Sequence, residues 1–213
     1  MADRMPHMLR SDARDNRDRI LAAARDLISQ RGLDVTMREI ARRAQVGPAT
    51  LYRRFPTKDH LLAAAFADQV QVCQQIVGDG CSDPDPWRGF SSIIERASIL
   101  HGRHQGFVDA LMSAHPQADT LSAHRATVLN KIAELSKRAK ARGGLRPDFA
   151  INDLKFVMLA ARGLAALPPL EREAAARRFA ALAIDAFRAS DRNADLLPNP
   201  PVALDRRSIP VET

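Results

Sequence analysis

Residues 36–58 read TMREIARRAQVGPATLYRRFPTK. Thr36-Met37-Arg38-Glu39 is a capping box: the threonine hydroxyl takes a free backbone N–H, and the glutamate reaches back to the cap residue. A helix is therefore predicted from Thr36, with Ile40, Ala41 and Ala44 facing inward. Gln45-Val46-Gly47 supplies a short turn. Pro48 then opens a second short helix, where its missing N–H costs nothing. Phe55-Pro56 closes that helix. Residues 36–55 thus give helix, turn of three to four residues, helix, which is helix-turn-helix geometry. On a helical wheel Leu51 and Phe55 share the inner face, Ala49 and Arg53 lie roughly opposite, and Thr50 and Tyr52 flank them.

Charge concentrates on the same stretch. Between Thr36 and Lys58 there are six basic residues (Arg38, Arg42, Arg43, Arg53, Arg54, Lys58) and one acid, Glu39. Residues 1–35 carry seven basic and six acidic groups, so they are nearly neutral. The whole chain has 32 Lys plus Arg against 25 Asp plus Glu, a net charge of +7 that favours a polyanionic partner. The outer face of the second short helix suits a major groove, with Arg53 near guanine edges and Ala49 against a thymine methyl. Tyr52, Thr50 and Lys58 suit phosphate oxygens, which set register without reading sequence. Thr36 sits at a helix N-terminus that can take another phosphate. Arg38 is within reach of a base or a phosphate. Gly47, Pro48 and Arg54 complete the candidate double-stranded DNA interface.

The 213 residues hold 13 prolines and 10 glycines, most of them between helical patterns, and no run alternates with period two. An all-α protein of about nine helices is expected. The first runs from about Asp12 to Arg31, with Ile20, Ala23, Ala24, Leu27 and Ile28 as its apolar stripe. Gly32 ends it. Thr57 caps a long fourth helix that buries Leu61, Leu62, Ala65, Phe66 and Val70. Two glycines and a proline between Val77 and Asp85 suggest a domain boundary. Further helices are expected near 86–101, 104–113, 117–142, 150–167 and 170–189. The expected organisation is an unstructured tail over 1–10, a helix-turn-helix domain over 11–76, a second helical domain over 77–190, and a proline-rich unstructured tail over 191–213. Apolar stretches are too short or too interrupted by charge to span a membrane, and the N-terminus lacks the apolar core of a secretory signal. Cys73 and Cys81 cannot build a disulfide framework or a four-cysteine zinc site. The expected location is the cytoplasm.

The order Ile20-Leu-Ala-Ala-Ala, Arg31-Gly32, Thr36-Met-Arg-Glu-Ile-Ala, Thr50-Leu-Tyr-Arg-Arg-Phe-Pro-Thr-Lys58 and Leu61 resembles the N-terminal domain of TetR-type transcriptional regulators, over about residues 12–70. The resemblance implies a homodimer, an operator of two half-sites, and a variable C-terminal domain that often holds a small inducer. Three positions depart from the family pattern. Gln45 stands where glycine is usual, so a positive φ there would cost about 1 kcal/mol. Gly47-Pro48 replaces a frequent serine cap. Arg54 stands where histidine is frequent.

In the second half, the helices near 150–167 and 170–189 are apolar nearly all round, so each must be covered on two sides. An intersubunit four-helix bundle would do this, with Phe156, Ala160, Gly163, Leu167, Phe179, Ala183 and Phe187 at the dimer interface. The alternative is one larger monomeric core. Polar groups on apolar stripes within 86–142 suit a pocket for an unknown small-molecule effector. The candidate ligand-binding residues are Ile94, His101, His104, Phe107, Met112, His124, Val128 and Met158. Arg96, Arg125 and Arg162 would suit an acidic ligand, but each histidine also fits as an ordinary core or surface residue. No enzyme motif or phosphate-binding glycine loop is evident, and a metal set of His101, His104 and His115 or His124 would lack a clear carboxylate or cysteine partner, so no enzyme activity, cofactor or metal is expected. The expected function is a homodimeric, ligand-released repressor. A DNA-binding protein that senses nothing, and a carrier or enzyme with a vestigial DNA domain, are the alternatives.

Overall fold

A computed structural model describes residues 5–112 and 117–190. Among the described residues there are ten α-helices and no strand. The first five are α1 (Met5–Arg31), α2 (Met37–Arg43), α3 (Pro48–Arg54), α4 (Lys58–Ala65) and α5 (Ala67–Ser82). The others are α6 (Pro86–Arg103), α7 (Gln105–Met112), α8 (Asp119–Ala141), α9 (Ile151–Ala161) and α10 (Pro169–Phe187). Short 3-10 turns follow α1 at Gly32–Asp34 and α9 at Arg162–Ala166.

The fold is all-α, as the periodicity implies, but four boundaries differ. Helix α1 begins at Met5, so the expected unstructured first ten residues are helical from there. Pro6 stands in the first turn, where no intrahelical donor is lost. The long fourth helix is two helices that part at Phe66 (φ −113°, ψ 14°). No glycine or proline marks that break; the Phe66 ring is buried and meets Phe107 at 5.8 Å between centroids. The helix expected to reach Leu167 ends at Ala161 in the 3-10 turn. The fourth difference is the stretch 77–85, expected as a boundary, which is largely the end of α5. Of its two glycines Gly80 serves packing: a Cβ there would lie 2.5 Å from Ile93 and 2.8 Å from the Gly89 carbonyl, whereas one on Gly78 would meet nothing within 4 Å. The expected C-terminal tail, 191–213, lies outside the described residues.

The chain divides into two compact units. The first takes residues up to Ala67 together with Gly106–Ala123; the second takes Asp68–Gln105 and the chain from His124 onward. In the first, Ile20, Ala24, Ile28, Ile40, Leu51, Leu61 and Leu62 form the interior. Helix α7 packs there too: a Cβ on Gly106 would sit 3.0 Å from the Ser29 backbone. Asp59, in the first turn of α4, accepts from the Thr120 amide at 3.0 Å and its hydroxyl at 2.6 Å, and so caps the start of α8.

In the second unit Phe90, Phe149 and Phe187 meet edge-on, with centroids 5.1–6.4 Å apart, among Ile76, Ile93, Ile94 and Leu135. A clamp of main-chain bonds closes this end. Arg146 N donates to Phe187 O at 3.0 Å, and Ala189 N to Gly144 O at 3.0 Å. The buried Arg146 guanidinium grips both oxygens of Asp148 at 2.6 and 2.9 Å and also reaches Ala186 O.

Candidate DNA interface

The capping box of α2 forms as read. Glu39 N donates to Thr36 Oγ1 at 3.2 Å, and Thr36 N to Glu39 Oε2 at 2.8 Å. Arg31 adds a 2.8 Å ion pair to Glu39. The Thr36 amide and hydroxyl, with the Arg31 guanidinium, pull the Glu39 carboxyl down to about 2 from a usual 4.5. Because the folded value is depressed, this stabilisation is present above about pH 4.5 and is lost as pH falls from there towards 2. Glu39→Gln is expected to flatten that part of a stability-versus-pH curve, measured as the urea midpoint at each pH.

The turn departs from glycine at a visible cost. Gln45 has φ 55°, in the left-handed region. Its N–H still reaches Arg42 O at 3.2 Å, and Val46 N reaches Ala41 O at 3.0 Å. Gln45→Gly should raise stability by about 0.5–1 kcal/mol. A thermal midpoint that stays level or falls would contradict this.

Helix α3 starts at Gly47, which offers no side-chain cap, with Pro48 at its first position. Leu51 and Phe55 are buried. Pro48, Ala49, Tyr52, Arg53 and Arg54 are exposed and Thr50 is half-buried, so the face opposite Leu51 is bare. On α2, Arg38 and Arg42 are exposed one turn apart. Arg38, Arg42 and Arg53 carry no ion pair among the described residues. Arg42 was absent from the interface read from the sequence; its i+4 spacing from Arg38, on the side of α2 opposite Ile40, is the signal that finds it.

Arg43 and Lys58 are engaged elsewhere. Arg43 pairs with Asp26 at 2.6 Å. Lys58, expected on a phosphate, is buried instead, and its ammonium donates to the Leu33 carbonyl. Burial lowers the Lys58 pKa, against the opposing pull of Asp34 and Glu39. The first position of α4 lies over the end of the 3-10 turn, so the side chain folds back onto it. Lys58→Met should cost about 1 kcal/mol of stability and leave the salt dependence of DNA binding unchanged. A shallower salt slope, measured by anisotropy, would return Lys58 to the phosphate set.

Beside α3 lies a half-open concavity of about 760 Å³, lined in part by Thr36, Tyr52, Thr57 and His60. Thr57 caps α4, accepting from His60 N at 3.2 Å. The caps of α2 and α4 therefore border one hollow.

The other predicted residues do not form one set. Phe107 and Met112 belong to the first unit, whereas Ile94, His101, His124, Val128 and Met158 belong to the second. Ile94, Phe107, His101 and His124 are buried, Met112, Val128 and Met158 are half-buried, and His104 is exposed at the end of α6. Of the proposed dimer residues, Phe187 is held in its own chain's core by Phe90 and Phe149. Phe156, Leu167, Phe179 and Ala183 are half-buried, and Ala160 and Gly163 are exposed. Leu170 and Leu182, outside the expected dimer set, are 97% and 56% exposed. Leu182 lies on the side of α10 away from Ala176, Ala180 and Phe187, a position a wheel would have exposed. Cys73 is pushed up to about 11 by burial, so its thiol stays protonated. No described helix is long and apolar enough to cross a membrane.

Residues 20–65 match the family described as bacterial regulatory proteins, tetR family, and residues 89–189 match the C-terminal domain of SbtR-like transcriptional regulators. The chain belongs to the TetR family. Its relatives include the HTH-type transcriptional repressor KstR of Mycolicibacterium smegmatis, 44% identical over 57% of this chain and 60% of that protein. KstR of Mycobacterium tuberculosis is 29% identical over 61% of this chain and 60% of its own. The chain thus spans about 60% of the length of these curated relatives. Among solved structures, the ketosteroid transcriptional regulator KstR2 of Mycobacterium tuberculosis superposes with a TM-score of 0.58 at 18% identity, covering 82% of this chain and 95% of that one. That likeness is one of fold. The matched families are families of transcriptional regulators.

Proposed function

We propose that this TetR-family chain is a repressor that binds operator DNA as a homodimer and is released by a small molecule held in its second unit. The observation that carries the reading is the bare face of α3. Ala49, Tyr52 and Arg53 stand out from a helix anchored by Leu51 and Phe55, while Arg38 and Arg42 extend the same unneutralised charge along α2. Such a face enters a major groove with Arg53 at base edges. Tyr52, Thr50, Thr36 and Arg42 meet phosphates, and the concavity bordered by Thr36 and Thr57 seats one of them. The curated relatives named KstR are repressors, which favours repression here.

Dimerisation is supported by α9 and α10. Residues 151–159 are all half-buried, and Leu182 is bare. A second copy covering these helices would bury both. In that dimer the two α3 helices must lie about 34–36 Å apart, or a multiple, to meet successive grooves. The ligand releases DNA by favouring a different separation. Asp59 offers the route: it ties the first turn of α4 to that of α8, the helix that continues to His124 and Val128.

The test is fluorescence anisotropy on the intergenic DNA beside the chain's own gene against scrambled DNA at fixed salt. A preference of at least about 10³-fold is expected. Equal, salt-steep binding to both would reduce the interface to phosphate attraction.

A further inference from the structure

The inward turn of Lys58 takes a cation away from the concavity beside α3. Its ammonium is buried and given to the Leu33 carbonyl. The same concavity is lined by three carboxylates: Asp34 from the 3-10 turn, Asp59 from α4 and Asp119 from the first turn of α8. Asp59 spends both oxygens on the Thr120 amide and hydroxyl, and Asp34 acts on the Lys58 ammonium. The other titratable groups of the lining are Tyr52 on the exposed face of α3 and His60 on α4. With a neutral imidazole the lining therefore sets three negative charges against one positive, and a phosphate entering it meets net repulsion.

His60 is the group that changes this balance. Histidine is the side chain whose charge ordinarily changes between about pH 5 and 8. The His60 ring is exposed and held at one end, with Nδ1 3.2 Å from Thr57 Oγ1. Nε2 has no partner among the described residues. The Thr57 oxygen also accepts the His60 N–H at 3.2 Å, the bond that caps α4. While Nδ1 is unprotonated, it accepts the Thr57 hydroxyl proton. Once both ring nitrogens carry protons, Nδ1 can only donate. Thr57 Oγ1 then accepts from the ring and from the main chain, and its own proton is released. One proton taken up gives the hollow two donors, Nε2–H⁺ and the Thr57 O–H, where the neutral ring offers only Nε2–H.

We propose that protonated His60 holds a DNA backbone phosphate in this concavity, a contact that the buried Lys58 cannot make, so that DNA binding takes up a proton. This rests on the reading of the chain as a DNA-binding regulator and makes the affinity of that same interface depend on pH. The sign follows from linkage: the complex favours the protonated ring, so affinity rises as pH falls. The contact is to the backbone and carries no sequence information.

The full-length protein and its variants His60→Gln and His60→Lys would be compared by fluorescence anisotropy at about pH 6 and pH 8, across a range of chloride concentration. The probes are the intergenic duplex beside the chain's own gene and a scrambled duplex. All three proteins keep the Thr57 cap, which uses the main-chain N–H of residue 60. Relative to His60→Gln, the unaltered protein should gain at least about threefold in affinity on going from the higher pH to the lower, on both duplexes. Its salt slope should steepen over the same interval by about 0.9 for each His60 engaged. His60→Lys, charged at both pH values, should show the steeper slope at both and lose the gain. A purely structural histidine would move the thermal midpoint in His60→Gln and leave the pH response of binding alone.

An equal pH response in the unaltered protein and His60→Gln overturns the proposal, as does a gain confined to the intergenic duplex, which would put the ring at a base. Inorganic phosphate exchanged for chloride at equal ionic strength should displace DNA no better. Selective displacement that requires His60 would make the hollow a site for free phosphate and sink the DNA contact. Strong preference for the intergenic duplex without any His60 effect would keep the regulator reading and sink this contact. A His60-dependent gain on both duplexes without preference between them would keep the contact and sink the operator reading. No binding to either duplex sinks both.

Discussion

Arg146→Ala is expected to lose about 3–5 kcal/mol of stability, a large fraction of the 5–15 kcal/mol typical of a folded domain. The guanidinium is buried, grips both Asp148 oxygens and reaches the Ala186 carbonyl. Truncation leaves a carboxylate in an apolar corner and weakens the clamp between the 144–149 segment and the end of α10. Urea unfolding should show a lower midpoint with an unchanged slope. Arg146→Lys should not rescue it, since an ammonium cannot make the two-pronged contact. The double variant Arg146→Met/Asp148→Leu should recover most of the loss, because it removes the stranded charge. A loss under about 1 kcal/mol for Arg146→Ala would mean that the pair is screened as surface pairs are.

Arg53→Ala is expected to weaken operator binding by about 1–3 kcal/mol, or roughly 5- to 150-fold, while changing affinity for scrambled DNA far less. The exposed position of Arg53 opposite the buried Leu51 leaves its guanidinium available to base edges. Tyr52→Phe should act oppositely, weakening both DNAs by similar factors, as a phosphate contact does. If Arg53→Ala weakens both equally, Arg53 sits on the backbone and α3 reads sequence through another residue.

The helix-turn-helix was legible in the sequence because its signals are local. The Thr36–Glu39 box, Pro48 and the Leu51/Phe55 face each act within one or two turns, and so did the strained Gln45. What stayed hidden depends on residues far apart in sequence. Nothing near Phe66 breaks a helix; its contact with Phe107 accompanies the break. Gly80 looked like punctuation, but it is the gap into which α6 packs. Phe187 sits on an apolar helix face whichever way that face points, so only the partners Phe90 and Phe149 assign it to its own core. Lys58 looked basic and available, and Leu33, 25 residues earlier, claims it. Charge counts give the formal charge of a segment. They do not say which charges have already been spent on carbonyls and acids.

The return of residues 106–123 to the first unit bears on how such regulators can be recombined. Phe107 backs Phe66, Gly106 abuts Ser29, and Thr120 takes the carboxylate of Asp59. The reading head is therefore not a cassette that ends at Ala67. A chimera that grafts residues 1–67 onto a foreign second unit would strip the first unit of part of its own packing and leave Phe66 bare. A graft that carries 106–123 along, or a host whose equivalent helix offers the same three contacts, would keep it whole. Descent by exchange of second units would face the same constraint, so exchange points in this lineage should fall inside α8 rather than between α4 and α5.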